Sequence, residues 1–200
     1  MSEEEGEVIE LKGELVEIFK VKPIRNNFLS FLVILTSCSF IFFLINFELK
    51  NLGGSIVVNT LSSQIAECIA NCFGGVINSK IGPKKSFALM FLLTITGSAL
   101  FVKFHEREDL TSYFIVPSKF GVSASFNIIF IVAVQLIPTI FSSQVFGLCN
   151  VVARTVTAMS SLIAEVEQPI PMEIVIGVST LAILFSLIIV EKLPKFKLIK

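Results

Sequence analysis

Charge is what this sequence has least of. Only 16% of its 200 residues are charged, against about a quarter in an ordinary soluble domain. The 16 basic side chains are balanced by 16 acidic ones, so no net charge draws the chain to nucleic acid. There is one histidine, His105, beside Glu106 and Arg107 in what reads as a solvated connector. Nucleophilic or metal-assisted catalysis needs a Ser–His or Cys–His set, or a cluster of ligands, on facing elements. The sequence offers neither, so it does not read as an enzyme, and no catalytic residue, metal ligand or cofactor is assigned. The paired glycines Gly53–Gly54 and Gly74–Gly75 lack the spacing of loops that cradle phosphates or dinucleotides. The four cysteines, Cys38, Cys68, Cys72 and Cys149, fall in apolar stretches and match no metal spacing. They read as small buried residues.

What fills the space is hydrocarbon. Hydrophobic residues make up 54% of the chain, including 20 phenylalanines, and the mean hydropathy is +0.84. A membrane helix needs roughly 20 apolar residues to cross a ~30 Å hydrocarbon core. Six stretches meet or approach that length, at about 28–47, 52–78, 86–104, 112–137, 143–164 and 172–190. Glycine, proline and charge mark the connectors between them: Gly53–Gly54, Gly82–Pro83, Glu106 to Asp109, Pro138, and Pro169 with Pro171. The first apolar run is too long, and the segment before it too rich in glutamate, for a secretory leader. The fold expected is an all-α, polytopic membrane protein with a bundle of six transmembrane helices over residues 27–191. A segment 1–26 precedes it and a basic tail 192–200 follows.

The charges that exist are placed unevenly. With both termini, the second connector and the fourth assigned to the cytosol, that side holds eleven of the sixteen basic residues. They are Lys12, Lys20, Lys22, Arg25, Lys80, Lys84, Lys85, Lys192, Lys195, Lys197 and Lys200. The other side holds Lys50, Lys103 and Arg107. This is a positive-inside pattern. Ahead of the first span, Val8, Leu11, Leu15 and Ile18 recur at helical spacing against Glu7, Glu10, Glu14 and Glu17. An amphipathic helix is expected there. Its acidity favours docking on protein over an anionic membrane surface.

Three ionisable side chains fall inside the spans: Glu67, Lys119 and Arg154. Each costs about 2.5–3.5 kcal/mol at a helix centre on insertion scales, so such groups face a bundle interior or a watery cavity. They either line a path for an organic ion, or Glu67 pairs with Lys119 or Arg154 to hold the bundle together. Lys119, two turns from the end of its span, also has the reach to snorkel outward. Asn59, Gln64, Asn71 and Asn127 either line the same path or make interhelical hydrogen bonds. Phe40, Phe42 and Phe43 read first as packing or lipid-facing residues, with stacking on an organic cation as the alternative.

The stretch GGVINSKIGPKK, from Gly74 to Lys85, resembles the signature loop of the major facilitator superfamily, Gly-x-x-x-Asp-Arg-x-Gly-Arg followed by Arg or Lys. Gly75, Lys80, Gly82 and Lys84 match; Ser79 stands in place of the aspartate and Pro83 in place of an arginine. NLGGSIVVN (Asn51–Asn59), KFGVSASFNIIFIVAVQLIPT (Lys119–Thr139) and PTIFSSQVFGLCNVVAR (Pro138–Arg154) resemble the eighth, tenth and eleventh helices of the organic cation, anion and carnitine transporter branch. The resemblance covers nearly the whole chain. It implies the carboxyl-terminal six-helix half of a secondary carrier for small organic ions, with no cofactor. The second half then comes from the same longer chain, a homodimer or a companion protein. The other outcome is a degenerate membrane protein that pairs with helical halves and transports nothing. Gln135 stands where the branch keeps a glutamate, and Ser142 where it keeps an arginine. An acid and a base of the cytosolic gate are thus missing together, which avoids stranding either charge. Arg154 matches a position where anion-carrying relatives keep an arginine, which tilts the implied substrate towards an anion or zwitterion. The implied setting is the plasma membrane with both termini cytosolic; the implied partners are the lipid bilayer, the organic ion and the second half.

Overall fold

A computed structural model describes residues 9–11, 15–52, 56–105, 108–191 and 196–198. The connector residues Gly53, Gly54, Glu106 and Arg107, and the basic residues Lys12, Lys192, Lys195 and Lys200, lie outside the described residues.

The described chain is helical apart from one three-residue ladder. Its elements are β1 (Ile9–Leu11), α1 (Leu15–Lys20), α2 (Lys22–Glu48), a 3₁₀ turn (Leu49–Asn51), α3 (Ile56–Ile81), α4 (Pro83–Lys103), α5 (Glu108–Leu136), α6 (Thr139–Thr157), α7 (Ser160–Ile163), α8 (Ile170–Ile188) and β2 (Phe196–Leu198). Prolines mark the starts. Pro23, Pro83 and Pro171 lie in the first turns of α2, α4 and α8, where a missing N–H costs nothing. Gly82, at φ +80°, makes the left-handed link from α3 into α4. Its N–H donates to Asn78 O at 3.0 Å and its carbonyl accepts from Ser86 N and Oγ.

Five helical stretches are long and apolar enough to cross a membrane: Lys22–Asn51, Pro83–Lys103, Tyr113–Leu136, Thr139–Ile163 and Ile170–Ile188. The expected second span, α3, has the length but not the apolarity. Asn59, Ser62, Ser63, Gln64, Glu67 and Asn71 interrupt its hydrocarbon.

The six long helices run alternately up and down. At one end, Asn27 near the start of α2 receives Val190 N at 2.7 Å and donates to Leu136 O and Val190 O at 3.2 and 3.1 Å. Gly82 lies beside Glu191 at the same end. At the far end, Asn51 donates to Ala164 O at 3.2 Å and Lys50 pairs with Glu165 at 2.5 Å. Two layers result. In the front layer α3 packs on α5, α5 on α2, and α2 on α6; behind them α4 packs on α5 and α8, and α8 on α2.

The interior combines large apolar side chains, such as Phe87, Phe91 and Ile41, with hydroxyls: Ser98, Ser118, Ser125, Ser179 and Ser186 are fully buried, whereas Val57, Val134 and Leu162 are more than 70% exposed. Small residues let membrane helices approach closely and hydrogen-bond across the gap. Thr94 and Ser118 show this between α4 and α5: Ser118 Oγ donates to Thr94 O at 3.0 Å and shares a bond with Ser98 Oγ at 3.0 Å. A Cβ added at Gly121 would stand 2.4 Å from Met90 O, and one at Gly97 would stand 2.5 Å from Ser118 Oγ.

The amino-terminal segment departs from the expectation of one amphipathic helix. Among the described residues of this segment, helix covers Leu15–Lys20, and Ile9–Leu11 instead pairs in parallel with Phe196–Leu198, Ile9 opposite Phe196. A short helix is marginal by itself, whereas extended pairing with the tail gives this stretch inter-strand hydrogen-bond partners. Val8 lies outside the described residues.

Candidate functional site

Two groups of polar side chains lie on the front layer, joined by one aromatic ring. The first is built around Lys119. Pro117, inside α5, deletes one ladder bond just before it. Lys119 points inward and is completely buried, so it does not snorkel. Its Nζ lies 3.2 Å from Glu67 Oε2 of α3 and donates to Asn46 Oδ1 of α2 at 2.8 Å. The Phe42 ring of α2 lies beneath it, with its centroid 3.5 Å away. Two anionic or dipolar oxygens and a π face thus take the place of water around one ammonium. Glu67 retains some access: its side chain is 23% exposed.

The second group surrounds Arg154, which lies in the last turn of α6, one turn before the break that leads to α7. The carbonyl end of a helix favours a cation there. Arg154 is exposed, and among the described residues no carboxylate pairs with it. It lines a recess of about 540 Å³ together with Asn150, Thr157 and Ser160, while Phe42, Phe43, Phe47, Phe126 and Phe130 supply the opposite wall. The aromatic wall is continuous: Phe42 stacks on Phe126 at 5.7 Å, and Phe126 meets Phe130 edge-on at 5.2 Å. Thr157 Oγ1 is buried without a hydrogen-bond partner among the described residues. Phe42 belongs to both groups, contacting Lys119 and lining the recess.

The remaining sequence candidates divide. Asn59 is buried on the α3 stripe that also carries Ser63, Ala66, Ala70 and Gly74. Gln64 and Asn71 are exposed on the other side of α3, and Asn127 is half-buried on α5; none of them lines the recess. Of the signature-loop residues, Gly75 packs near Ile131, Ser79 Oγ donates to Val76 O at 2.8 Å, and Gly82 forms the turn. Lys80 is exposed and Lys84 half-buried on either side of that turn. Gln135 is exposed in the last turn of α5 and Ser142 half-buried in the first turn of α6. The cysteines split as well. Cys38 and Cys149 are buried, but Cys68 and Cys72 are exposed, because α3 packs through its small-residue stripe and both lie off it.

Sequence reasoning did not single out Asn46, although it supplies the shortest contact to Lys119. The available signal was a polar residue four positions after Phe42, one turn along the same face of α2. Asn27 was missed too; an asparagine in the polar first turns of α2 carries no pattern until the two carbonyls that it serves are known.

Among the described residues no three His, Cys, Asp or Glu side chains cluster to hold a metal. The arrangement offers a guanidinium for an anionic group and aromatic faces for an apolar body. No protein-family model matches the chain.

Proposed function

We propose that this chain is one six-helix half of a membrane carrier for small organic ions of the major facilitator type, with α3 crossing the bilayer as a sixth span. Its two ends then share one side, as the β1–β2 pairing favours, since an even number of crossings returns the chain to where it began. The basic residues Lys20, Lys22, Arg25, Lys80, Lys84 and Lys85 all belong to that end, which supports a cytosolic assignment. The substrate is an organic anion or zwitterion with an aromatic or aliphatic body. Carriers of this type bind between two halves near the midplane, and the recess opens on the face where a second half would lie.

The observation that carries the reading is Arg154, a cation with no carboxylate partner among the described residues, in a phenylalanine-walled recess. Charged groups in spans are otherwise paired or functional. The test is equilibrium binding of a fluorescent aromatic carboxylate to the full chain in mild detergent, comparing wild type with Arg154→Gln. A hydrogen bond to a charged group is worth about 1.5–3 kcal/mol, so affinity should fall roughly ten- to a hundredfold. Equal binding by both proteins, or none by wild type, overturns the reading.

One observation favours a second reading. Glu67 and Lys119 neutralise each other internally, as a sealed, non-transporting bundle requires. A membrane protein that docks on other helical halves through its front layer would keep that pair and bind no organic anion at Arg154.

A further inference from the structure

The far end of the bundle holds a second buried acid, independent of both groups above. Glu48 is the last residue of α2 and is completely buried. Its Oε2 accepts hydrogen bonds from Gln168 Nε2 and, at 3.4 Å, from Asn51 Nδ2. Asn51 also donates to Ala164 O, so the 3₁₀ turn and the segment joining α7 to α8 meet over this carboxyl. Two oxygens remain bare. Neither Glu48 Oε1 nor Gln168 Oε1 has a hydrogen-bond partner among the described residues.

Among the described residues no cation pairs with it; Lys103, at the end of α4, lies over the Phe104 ring instead. The charged groups acting on Glu48 are Lys50 and Glu165, and these bind each other at 2.5 Å. Helix α7 carries no charge, Lys119 of α5 is bound to Glu67, and Arg154 of α6 lines the recess. An isolated carboxylate taken out of water costs several kcal/mol, and such a group takes up a proton instead. A proton also matches the bare atoms. Each is bonded to the same carbon as an atom of the existing Gln168–Glu48 hydrogen bond. A hydrogen on Glu48 Oε1 donated to Gln168 Oε1 would close a ring of two hydrogen bonds between acid and amide, satisfying both oxygens at once. A metal cation would need about six oxygen ligands, and two bare oxygens fall short of that.

We propose that Glu48 and Gln168 form a proton-binding site that latches the α2 end to the segment entering α8. Glu48 carries the proton and Gln168 both donates to and accepts from it. Deprotonation leaves a buried carboxylate facing an amide carbonyl, so raising the pH loosens this corner and admits water. The site stands on Glu48, Gln168 and Asn51 alone, so it holds whether or not the chain carries organic ions.

The test is infrared spectroscopy of the purified full chain in an alkyl maltoside detergent, which carries no ester carbonyl, across neutral and alkaline pH. Exposed carboxyls are ionised at neutral pH, so the carbonyl stretch of a protonated acid reports shielded groups. Wild type should show such a band, fading as pH rises; Glu48→Gln should lack it, and Glu67→Gln should retain it. Gln168→Leu should keep the acid protonated but shift its band to higher frequency, because the hydrogen-bond acceptor is gone. A band that persists in Glu48→Gln, or no band in wild type, overturns the proposal. If Glu48→Gln does not fold, an unshifted band in Gln168→Leu overturns it instead.

Discussion

A buried lysine is tolerable only when other groups replace its water, and Lys119 has three: Glu67, Asn46 and the Phe42 ring. Removing one member of a buried pair costs about 3–5 kcal/mol, more than the pair itself contributes. The two single substitutions should differ. Glu67→Gln strands a fully buried ammonium, whereas Lys119→Met leaves a carboxylate that retains some access. Thermal unfolding in detergent should therefore show a larger drop for Glu67→Gln than for Lys119→Met. The Glu67→Met, Lys119→Met double variant should recover most of the loss. A double variant as unstable as the sum of the singles would show that the charges contribute independently. The three in-span charges were legible as exceptions to an apolar background. Which of them pair was not legible, because a pair is a property of two helices and the sequence lists them one at a time.

At its tightest points the packing of α4 on α5 is made by glycine and hydroxyl residues: Gly97, Gly121, Thr94, Ser98 and Ser118. Gly121→Val should disrupt this contact, because even a Cβ meets Met90 O and Thr94 Oγ1 at 2.4 Å. Gly147→Ala on α6 has open space around it. It should be neutral or stabilise by roughly 0.5–1 kcal/mol through helix propensity. Retention on size-exclusion chromatography and melting temperature check both; a Gly121→Val protein as stable as wild type would mean that these helices do not pack as described. Element by element, helix existence was readable from apolar length and from the Gly-Pro starts. The character of α3 was not. In sequence its polar residues read equally as a path lining or as interhelical hydrogen bonds; Asn59 and Ser63 lie on the side packed within the bundle, while Gln64 and Asn71 are exposed.

For the molecule as a whole, the question is how many times it crosses. The Gly82 turn lies beside Glu191, and both lie at the opposite end from the Lys50–Glu165 pair. Cysteines introduced singly at Lys84 and Glu191 in a cysteine-free background should react with an impermeant reagent from one side of sealed vesicles, and those at Lys50 and Glu165 from the other. Labelling of Lys50→Cys and Lys84→Cys from the same side would remove α3 as a crossing. The paired strands at the chain ends make the sharper statement, since no odd number of crossings lets Ile9 lie opposite Phe196.

The amino-acid sequence by itself determined that the chain is built from long apolar helices, five of them long and apolar enough to cross a membrane: apolar runs near 20 residues leave backbone groups in hydrocarbon no partner except their own helix. It also determined where the helices begin, through proline and a glycine at positive φ. Only the tertiary structure decided that Lys119 turns inward to Glu67 while Arg154, without a carboxylate partner among the described residues, lines the recess. It alone set Gln168, 120 residues away, against Glu48. The reason is physical: burial and pairing are fixed by which helices become neighbours, and in a membrane small residues and rare polar contacts, not hydrophobicity, choose those neighbours.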